Sequence, residues 1–548
     1  MKPASEVIEV NLQEWETLLE RARKEPLDEK GYEKLQAALR AFRLLTEMIG
    51  EKNTTISRLR ALLAKPSTEK TSKVLEQAGI KAPPKSSPPA NAGDQTKPGH
   101  GRNGAQAYGG ARRIKIAHAS LQPGNRCPEC QKGKVYEQKD PALRIRVVGQ
   151  APIAATVYEL ERLRCNLCGE IFEAAAPASV GEKKYDETAA AMIALLKYGS
   201  GVPFYRLEGL EASLGIPLPA STQWEIVEEI AAPIQPAFDE LLRQAAQGEV
   251  FYNDDTSMKI LALARASPSR PEVKEESSSA HERTGLFTTG IVSTTRQGQR
   301  IVMFFTGRKH AGENLGRVLV ERAKGLAPPI QMSDALSRNV PKLKEKLEIL
   351  WGNCNAHARR RFVEVTPNFP EECRFVLESF RDVYGYEAET QRRGLGPEAR
   401  LRFHQERSQP VMEALHAWFE AQFNEKKVEP NSGLGEAITY CLKRWTRLTL
   451  FLREPGAPLD SNLVERALKK CILHRKNSLF YKTENGAEVG DLFMSLIHTC
   501  ELNDANPFDY LTELQKHAEE LAKNPTVWMP WNYRATLQQQ AGTIRGSA

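Results

Sequence analysis

The sequence lacks the features of a membrane or secreted protein. No run approaches the ~20 consecutive apolar residues that a helix needs to cross a bilayer. The segment from Met1 to Glu6 has no apolar core of a signal peptide. The nine cysteines are an odd number, which argues against a disulfide framework and favours a metal site together with buried thiols. We therefore expect a cytoplasmic protein.

Aromatic residues are also sparse, at 7% of the 548 residues, whereas 41% are hydrophobic and 26% are charged. This composition is typical of a globular chain, and the length is enough for about three or four domains. The net charge of +7 is compatible with a nucleic-acid partner but is a weak argument for one.

Residues 1–65 are predicted to form an N-terminal helical region. Apolar residues recur every seven positions from Leu35 to Leu63, as they do in a coiled coil that pairs with another copy of the chain. An amphipathic helix packed on its own domain explains the pattern equally well.

Residues 66–112 are predicted to be a disordered linker. Pro, Ser, Lys and Gly dominate this segment, and such a composition cannot bury enough apolar surface to fold. Its basic end includes Arg102, Arg112 and the following Arg113. Two interpretations are open, a contact with DNA phosphates or a solvated, flexible connection.

Two Cys-x-x-Cys pairs predict a zinc-ribbon domain over residues 113–180. The ligands are Cys127, Cys130, Cys165 and Cys168. Four thiolates complete a closed tetrahedral site, so we predict one structural Zn²⁺ rather than a catalytic one. The insert between the pairs alternates as a β-hairpin does.

Residues 181–247 are predicted to be a helical DNA-binding domain. A helix, a Gly-containing turn and a second helix that starts near Ser221 resemble a helix-turn-helix. An ordinary helical hairpin explains the same pattern.

Residues 248–369 are predicted to be the first part of a catalytic core. An apolar, aromatic strand starts at Glu249 and ends in Asp254 and Asp255. Two further apolar segments, 285–292 and 300–305, indicate strands that continue it as an antiparallel meander.

A helix over 312–324 and a short strand follow the meander, and the strand ends at Asp334. Residues 370–455 then predict a helical insertion. The core resumes over 456–505, and residues 506–548 form a C-terminal segment.

The resumed core contains a helix with a well-defined buried face. Val464, Leu468 and Cys471 recur at three- and four-residue spacing and predict the buried stripe. Glu465 lies at the edge of the stripe, with Asn462 within one turn. From the helix alone, a surface Glu paired with its neighbours is the simpler interpretation.

Carboxylates on the first strand, after the fourth strand and on a later helix make a ribonuclease-H-like constellation. Two Mg²⁺ (or Mn²⁺) ions need such hard, anionic oxygen ligands. Carboxylates that cluster without a metal repel one another, so their convergence favours a metal site. The alternative is that each Asp merely ends a strand, because Asp is common in turns.

Motifs from Gly99 to Trp531 resemble the insertion-sequence-sixty-six family of DDE transposases. The most specific are Ser461-Asn462 through Glu465-Arg466-Ala467 and Arg475-Lys476-Asn477-Ser478-Leu479-Phe480, followed by Gly486-Ala487. Others are Gly-His-Gly-Arg at 99–102, the two cysteine pairs, Asn253-Asp254-Asp255-Thr256, Ser333-Asp334 and His357-Ala358-Arg359-Arg360-Arg361-Phe362.

The resemblance implies that Asp254, Asp334 and Glu465 are the catalytic residues and the Mg²⁺ ligands. Relatives often have Glu at the position of Asp255. Adjacent side chains of a strand point to opposite faces, so we assign metal binding to Asp254 and a supporting role to Asp255.

Other residues are assigned supporting or DNA-binding roles. Cys354 and His357 resemble a short motif of several DDE families, and with two further ligands missing we expect a structural role beside the active site. Asn462 is also expected to support the site. The residues expected to contact DNA are Arg102, Arg112, Arg113, Arg359, Arg360, Arg475 and Lys476, although a solvated basic face is an equal alternative for the last four.

We therefore predict a multidomain α+β protein with a ribonuclease-H-like core that acts as a bacterial DNA transposase. It would bind the terminal inverted repeats of its element, nick them with two Mg²⁺ ions per site and join the freed ends to target DNA. A homodimer or higher oligomer and small accessory proteins of the same element are expected partners. The rivals are an inert zinc-ribbon DNA-binding protein and a ribonuclease-H-like nuclease that cuts without joining.

Overall fold

The computed structural model describes residues 69–80, 106, 113–136, 150–164, 166, 168, 171–177, 180–181, 183–265, 285–343 and 347–546. The predicted coiled-coil region, most of the predicted linker, Arg102, Arg112 and Cys165 lie outside the described residues. None of the helices described is long and apolar enough to span a membrane.

A mixed sheet lies at the centre of the fold. The strands are β1 (Arg162–Arg164), β2 (Ile171–Glu173), β3 (Val250–Ser257), β4 (Phe287–Thr294), β5 (Arg300–Gly307), β6 (Ile330–Ser333) and β7 (Leu350–Asn353). β1 and β2 pair separately, and the other five form one sheet in the order β5-β4-β3-β6-β7. β3, β4 and β5 are antiparallel neighbours, so the predicted meander is confirmed. β6 pairs parallel with β3, and β7 parallel with β6.

Helices surround this sheet and place the chain in a mixed α/β arrangement, within the predicted α+β class. They are α1 (Thr71–Gln77), α2 (Glu187–Ala194), α3 (Phe204–Ser213), α4 (Ala220–Ala245), α5 (Leu261–Arg265), α6 (Ala311–Leu319), α7 (Asn355–Val365), α8 (Pro370–Arg392), α9 (Pro397–Asn424), α10 (Gly433–Lys443), α11 (Trp445–Leu448), α12 (Asn462–Ser478), α13 (Glu484–Leu502), α14 (Pro507–Lys516), α15 (Ala518–Lys523) and α16 (Tyr533–Gly546). A π-helical turn, Leu195–Gly199, extends α2, and 3₁₀ turns occupy Ser337–Asn339, Leu450–Leu452 and Pro525–Trp528.

The main hydrophobic core lies between the sheet and two groups of helices, those that precede β3 in the sequence and those that follow the insertion. Residues 301–304 of β5 are fully buried, as in a strand covered on both faces. Side chains from α2, α4, α12, α13 and α14 belong to the same core. The C-terminal segment is fixed there through Trp528, which is buried and whose carbonyl accepts a hydrogen bond from Tyr510 (2.9 Å).

The predicted insertion is helical, and its side chains form a second core together with residues of α7, β3 and β6. Phe362 of α7 stacks on Phe419 of α9 with ring centroids 5.6 Å apart. The structure differs from the predicted disordered linker at α1, which packs against α8. Val74 and Leu75 are buried in this second core. These two apolar residues dock the short helix, and the polar composition of the surrounding segment gives no sign of it.

Strand β5 is an edge strand, and α13 covers its open side. Four polar side chains, three on α13 and one at its C-cap, accept hydrogen bonds from alternate backbone N–H groups of β5. They are spaced four positions apart in the sequence. The pairs are Asp491 with Thr306 (2.5 Å), Ser495 with Phe304 (2.9 Å), Thr499 with Val302 (3.1 Å) and Asn503 with Arg300 (3.1 Å).

The spacing of this ladder follows from the geometry of the two elements. Four residues advance a helix by about 6 Å, and two residues advance a strand by about 6.8 Å. A polar row at every fourth helical position therefore keeps in register with every second residue of the strand. Unpaired edges invite association with other strands, so the ladder also closes the sheet on this side.

We expect Ser495→Ala to lower the free energy of unfolding by about 1–3 kcal/mol, because the buried N–H of Phe304 loses its acceptor. Urea unfolding of the full chain measures this. Ser379→Ala is the matched control, because both hydroxyls donate to the carbonyl four residues earlier but Ser379 accepts from no strand in the described structure. Equal losses in the two variants would contradict the role of the ladder.

Candidate active site

The three predicted carboxylates come from three separate elements, two neighbouring strands and a helix that packs on the sheet. Asp254 lies on β3, and Asp334 directly follows β6. Because β3 and β6 are parallel neighbours, their carboxyl ends lie side by side. Glu465 is in the first turn of α12, which packs on β3 and β4.

Asp254 and Asp334 share a hydrogen-bonding partner. The side-chain amide of Asn339 donates to Oδ1 of Asp334 (2.5 Å) and lies near enough to Asp254 to favour its charged form. Backbone N–H groups complete the contacts, from Leu336 to Asp334 (3.1 Å) and from Asp255 to Asp254 (2.8 Å). All of these donors are neutral, so they do not cancel the two negative charges.

The pKa of Asp254 is raised from 3.8 to about 6. Burial is the largest cause, because it disfavours the charged carboxylate. The hydrogen bond from the backbone of Asp255 opposes the shift, and the nearby charges of Asp334 and Asp255 add to it. A cation bound beside this carboxylate would stabilise its charged form.

The adjacent Asp255 has a different environment. Its side chain is 1% exposed and lies 3.0 Å from Nδ1 of His310 and 3.4 Å from Nη2 of Arg338. The N–H of Ala311, at the start of α6, also donates to it (3.4 Å). Asp255 therefore connects β3 to α6 and to the 3₁₀ turn Ser337–Asn339. Asp254 makes none of these contacts and lies beside Asp334 instead.

Glu465 lies beside His357 and Cys354. Its Oε1 is 3.7 Å from Nδ1 of His357, and the ligand atoms of all three residues lie within 4.8 Å of one another. This is close enough for the three to hold one cation. The hydrogen bond with Cys354 is the largest cause of a raised His357 pKa, about 8, to which the charges of Glu465 and Asp334 contribute.

Helix α12 approaches the sheet closely because Gly290 of β4 lies opposite Asp254. A Cβ atom at Gly290 would lie 3.1 Å from Cδ2 of Leu468. At the other end of the helix, Nη1 of Arg475 donates to Oγ1 of Thr256 (3.1 Å) on β3. The predicted stripe Val464, Leu468 and Cys471 is buried.

Comparison with known proteins assigns the family. The profile described as Transposase IS66 family matches residues 183–489, more than half of the 548-residue chain. The chain belongs to the IS66 transposase family. The matched region contains all three carboxylates and the helical insertion.

Three related proteins of Sinorhizobium fredii (strain NBRC 101917 / NGR234) are described only as uncharacterized. Protein y4jD is 26% identical over 439 residues, 77% of this IS66-family chain and 81% of the relative. Protein y4hP is 26% identical over 68% of this chain and 67% of its own length, and y4qI is 27% identical over 66% of each. Membership of a transposase family supports a transposase role, implies DNA as a partner and implies the use of divalent metal ions.

The predicted DNA-binding residues of the IS66-family chain have varied surroundings. Arg359 donates to the backbone of Glu69 and to Thr71 (3.1 Å), and Arg360 pairs with the Glu69 carboxylate (2.9 Å). These two arginines therefore hold the segment that leads into α1. Lys476 and Arg113 are exposed, and Asn462 donates to Asp460 (2.8 Å) just before α12.

The first cysteine pair of the predicted zinc ribbon forms a tight turn. Arg126 and Lys134 form an isolated antiparallel bridge around it, and the N–H of Gly133 donates to Sγ of Cys130 (3.4 Å). Such N–H donors, from Gly133 and Lys132, lower the pKa of the Cys130 thiol, as suits a thiolate ligand. Cys168 lies between β1 and β2, and the zinc site itself stays a prediction.

Sequence reasoning missed the polar residues behind the carboxylates. Asn253, Gln331 and Asn339 are at most 1% exposed, and His310 and Arg338 hold Asp255. A weak signal was available, since Asn253 directly follows the apolar residues 250–252 and Gln331 lies between Ile330 and Met332. Such polar residues in a buried strand need partners.

We expect Asp254→Asn to raise the free energy of unfolding of the metal-free chain by about 1–3 kcal/mol at pH 7.5. In the wild type the raised pKa makes this carboxyl destabilising above pH 6, and the penalty fades as pH falls toward 3.8. The advantage of the variant should shrink to roughly half at pH 5. Urea unfolding in EDTA at both pH values measures it.

Asp382→Asn, at a half-exposed position on α8, is the control and should leave the pH dependence unchanged. A variant at position 254 whose stability parallels that of the wild type at both pH values would contradict the buried, charged environment of Asp254.

Proposed function

We propose that this IS66-family chain is a DNA transposase that binds the terminal inverted repeats of its element and catalyses strand cleavage and strand transfer. The proposal rests on the family match together with the position of Asp254 and Asp334 at the neighbouring carboxyl ends of β3 and β6, and of Glu465 on α12, which packs on β3. Its catalytic core is ribonuclease-H-like. The sheet order β5-β4-β3-β6-β7, with only β4 antiparallel to the others, supports this.

The carboxylates suit divalent cations. Asp254 and Asp334 receive hydrogen bonds from neutral donors, and burial of Asp254 leaves its charge poorly compensated. Asp254, Asp334 and Glu465 would hold two Mg²⁺ (or Mn²⁺) ions per site. When bound, these ions supply activation of the attacking oxygen and stabilisation of the leaving oxygen of a phosphodiester.

The other residues of the site position these carboxylates. Asp255 fixes the end of β3 through His310 and Arg338. His357 lies beside Glu465, with its Nδ1 3.7 Å from Oε1 of that carboxylate, and is proposed to support its position. Lys476, exposed at the far end of α12, would meet DNA phosphates, which require little beyond positioned charge. The neighbouring Arg475 would do so only with the part of its guanidinium that is not bonded to Thr256 and Ser257 of β3.

The remaining parts of the chain would bring two DNA ends together. The predicted zinc ribbon and helices 187–245 would contact the ends, and the predicted N-terminal coiled coil would pair protomers. Small accessory proteins of the same element are further proposed partners.

We expect Asp254→Asn, Asp334→Asn and Glu465→Gln each to lower strand cleavage by at least about a hundredfold, because even outer-shell partners of a metal are worth about 10–100-fold. The assay uses the full chain, any accessory proteins and a marker flanked by the native element ends. Cut and joined products are quantified separately. Glu364→Gln, at an exposed position on α7, is the matched control.

Cleavage at wild-type levels in any of the three variants would remove that carboxylate from the assignment. Cut ends without joined products from the wild type would favour a nuclease. Specific binding of the ends without cleavage would favour an inert DNA-binding protein.

For the zinc ribbon, we expect about one Zn²⁺ per purified chain and its loss in Cys130→Ser, because four thiolates close the site. Elemental analysis by mass spectrometry measures it. Cys373→Ser should retain the zinc, because burial raises the pKa of this thiol to about 12 and disfavours a thiolate. Zinc retained in Cys130→Ser, or absent from the wild type, would contradict a site made of four cysteines.

A further inference from the structure

A single buried side chain connects the two aspartates of the candidate site. Asn339 ends the 3₁₀ turn that follows Asp334 and is fully buried. Its Nδ2 donates to Oδ1 of Asp334 at 2.5 Å, and its side chain lies near enough to Asp254 to lower the pKa of that carboxyl slightly against the effect of burial. A primary amide has two N–H donors, so one group can serve two carboxylates at once.

The backbone of Asn339 is fixed by the strands that carry those aspartates. Its carbonyl accepts hydrogen bonds from Nδ2 of Asn253 on β3 (2.8 Å) and from Nε2 of Gln331 on β6 (2.7 Å). Gln331 also donates to Oδ1 of Asn253 (2.7 Å). Both partners are almost completely buried, so the network locks the turn to the two strands behind the carboxylates.

The other end of the same amide supports a role directed at the site. Oδ1 of Asn339 is buried and has no hydrogen-bond partner among the described residues. A buried acceptor without a partner costs stability. The side chain is therefore placed where its N–H groups serve the aspartates, although its own oxygen is left unsatisfied.

We propose that Asn339 is a positioning residue of the metal site, whose amide holds Asp254 and Asp334 at the separation needed to share a divalent cation. The role rests on the proposed function, in which these carboxylates bind metal. By occupying Oδ1 of Asp334, the amide leaves the second oxygen of that carboxylate for the cation. Outer-shell hydrogen bonds of this kind orient metal ligands, and their loss costs about 10–100-fold in affinity.

The test is the affinity for Mn²⁺, measured by isothermal titration calorimetry on the full, zinc-loaded chain without DNA. Asn339→Ala should weaken Mn²⁺ binding by about 10–100-fold. Asn339→Leu should weaken Mn²⁺ binding to a similar extent. Because leucine nearly preserves the side-chain volume, this variant shows whether the loss comes from the amide or from a cavity in the turn. Thermal unfolding in EDTA establishes that each variant is folded.

Asn314→Ala is the matched control. Asn314 is a buried amide on α6 that donates to Oγ1 of Thr289 (2.8 Å), and this variant should bind Mn²⁺ within about twofold of the wild type. Asp254→Asn reports on the metal site itself and should abolish binding.

The outcomes separate the two proposals. Wild-type affinity in both Asn339 variants, with binding lost in Asp254→Asn, would overturn the role of Asn339 alone. A wild type that binds no Mn²⁺, or Asp254→Asn with wild-type affinity, would overturn the metal site and the role of Asn339 with it. Equal weakening in the Asn314 and Asn339 variants would reduce the effect to a general loss of packing.

Discussion

The hydrogen-bond ladder between α13 and the edge of β5 determines where the last part of the chain lies. Each polar side chain in the row satisfies one strand N–H, and the row runs the length of β5. Because α12 reaches α13 through only a few residues, the ladder also limits where α12 can lie. The backbone bridge between Ile260 and Tyr481 in that connection adds a second restraint.

These restraints matter because Glu465 does not belong to the sheet. Its position relative to Asp254 depends on how closely α12 packs, which Gly290 permits. Arg475 fixes the opposite end of the helix to the end of β3. The geometry of the candidate site is thus set partly by contacts about three helical turns away from it.

The two adjacent aspartates of β3 have different partners, and we assign them different roles. Asp255 is buried but lies beside the guanidinium of Arg338 and the imidazole of His310, as a structural buried charge requires. Asp254 has neutral donors instead, and burial raises its pKa. Local departures of this kind from the rules of stability are expected at functional sites.

Much of the catalytic region was predictable from the sequence because its signals are local. A strand that ends in a carboxylate can be recognised from a few consecutive residues. The stripe of Val464, Leu468 and Cys471 can be recognised from residues three or four positions apart. Asn339 was not predictable, because its importance arises only when a turn returns to two strands. The docking of α1 and the α13 ladder share this property, since the partner of each lies far away in the sequence.

The order of the elements has a consequence for synthesis of the protein. Asp254 and Glu465 lie 211 positions apart in the sequence (465 minus 254), which takes roughly 10–40 s at ribosomal rates of about 5–20 residues per second. In the second half of that interval, after residue 353, the sheet is complete, whereas α12 and α13 are not yet made. Apolar residues such as Val292 and Phe304, buried in the finished core, then lack the helices that cover them. A nascent or truncated chain that stops in the insertion therefore presents an aggregation-prone sheet edge and an incomplete set of carboxylates.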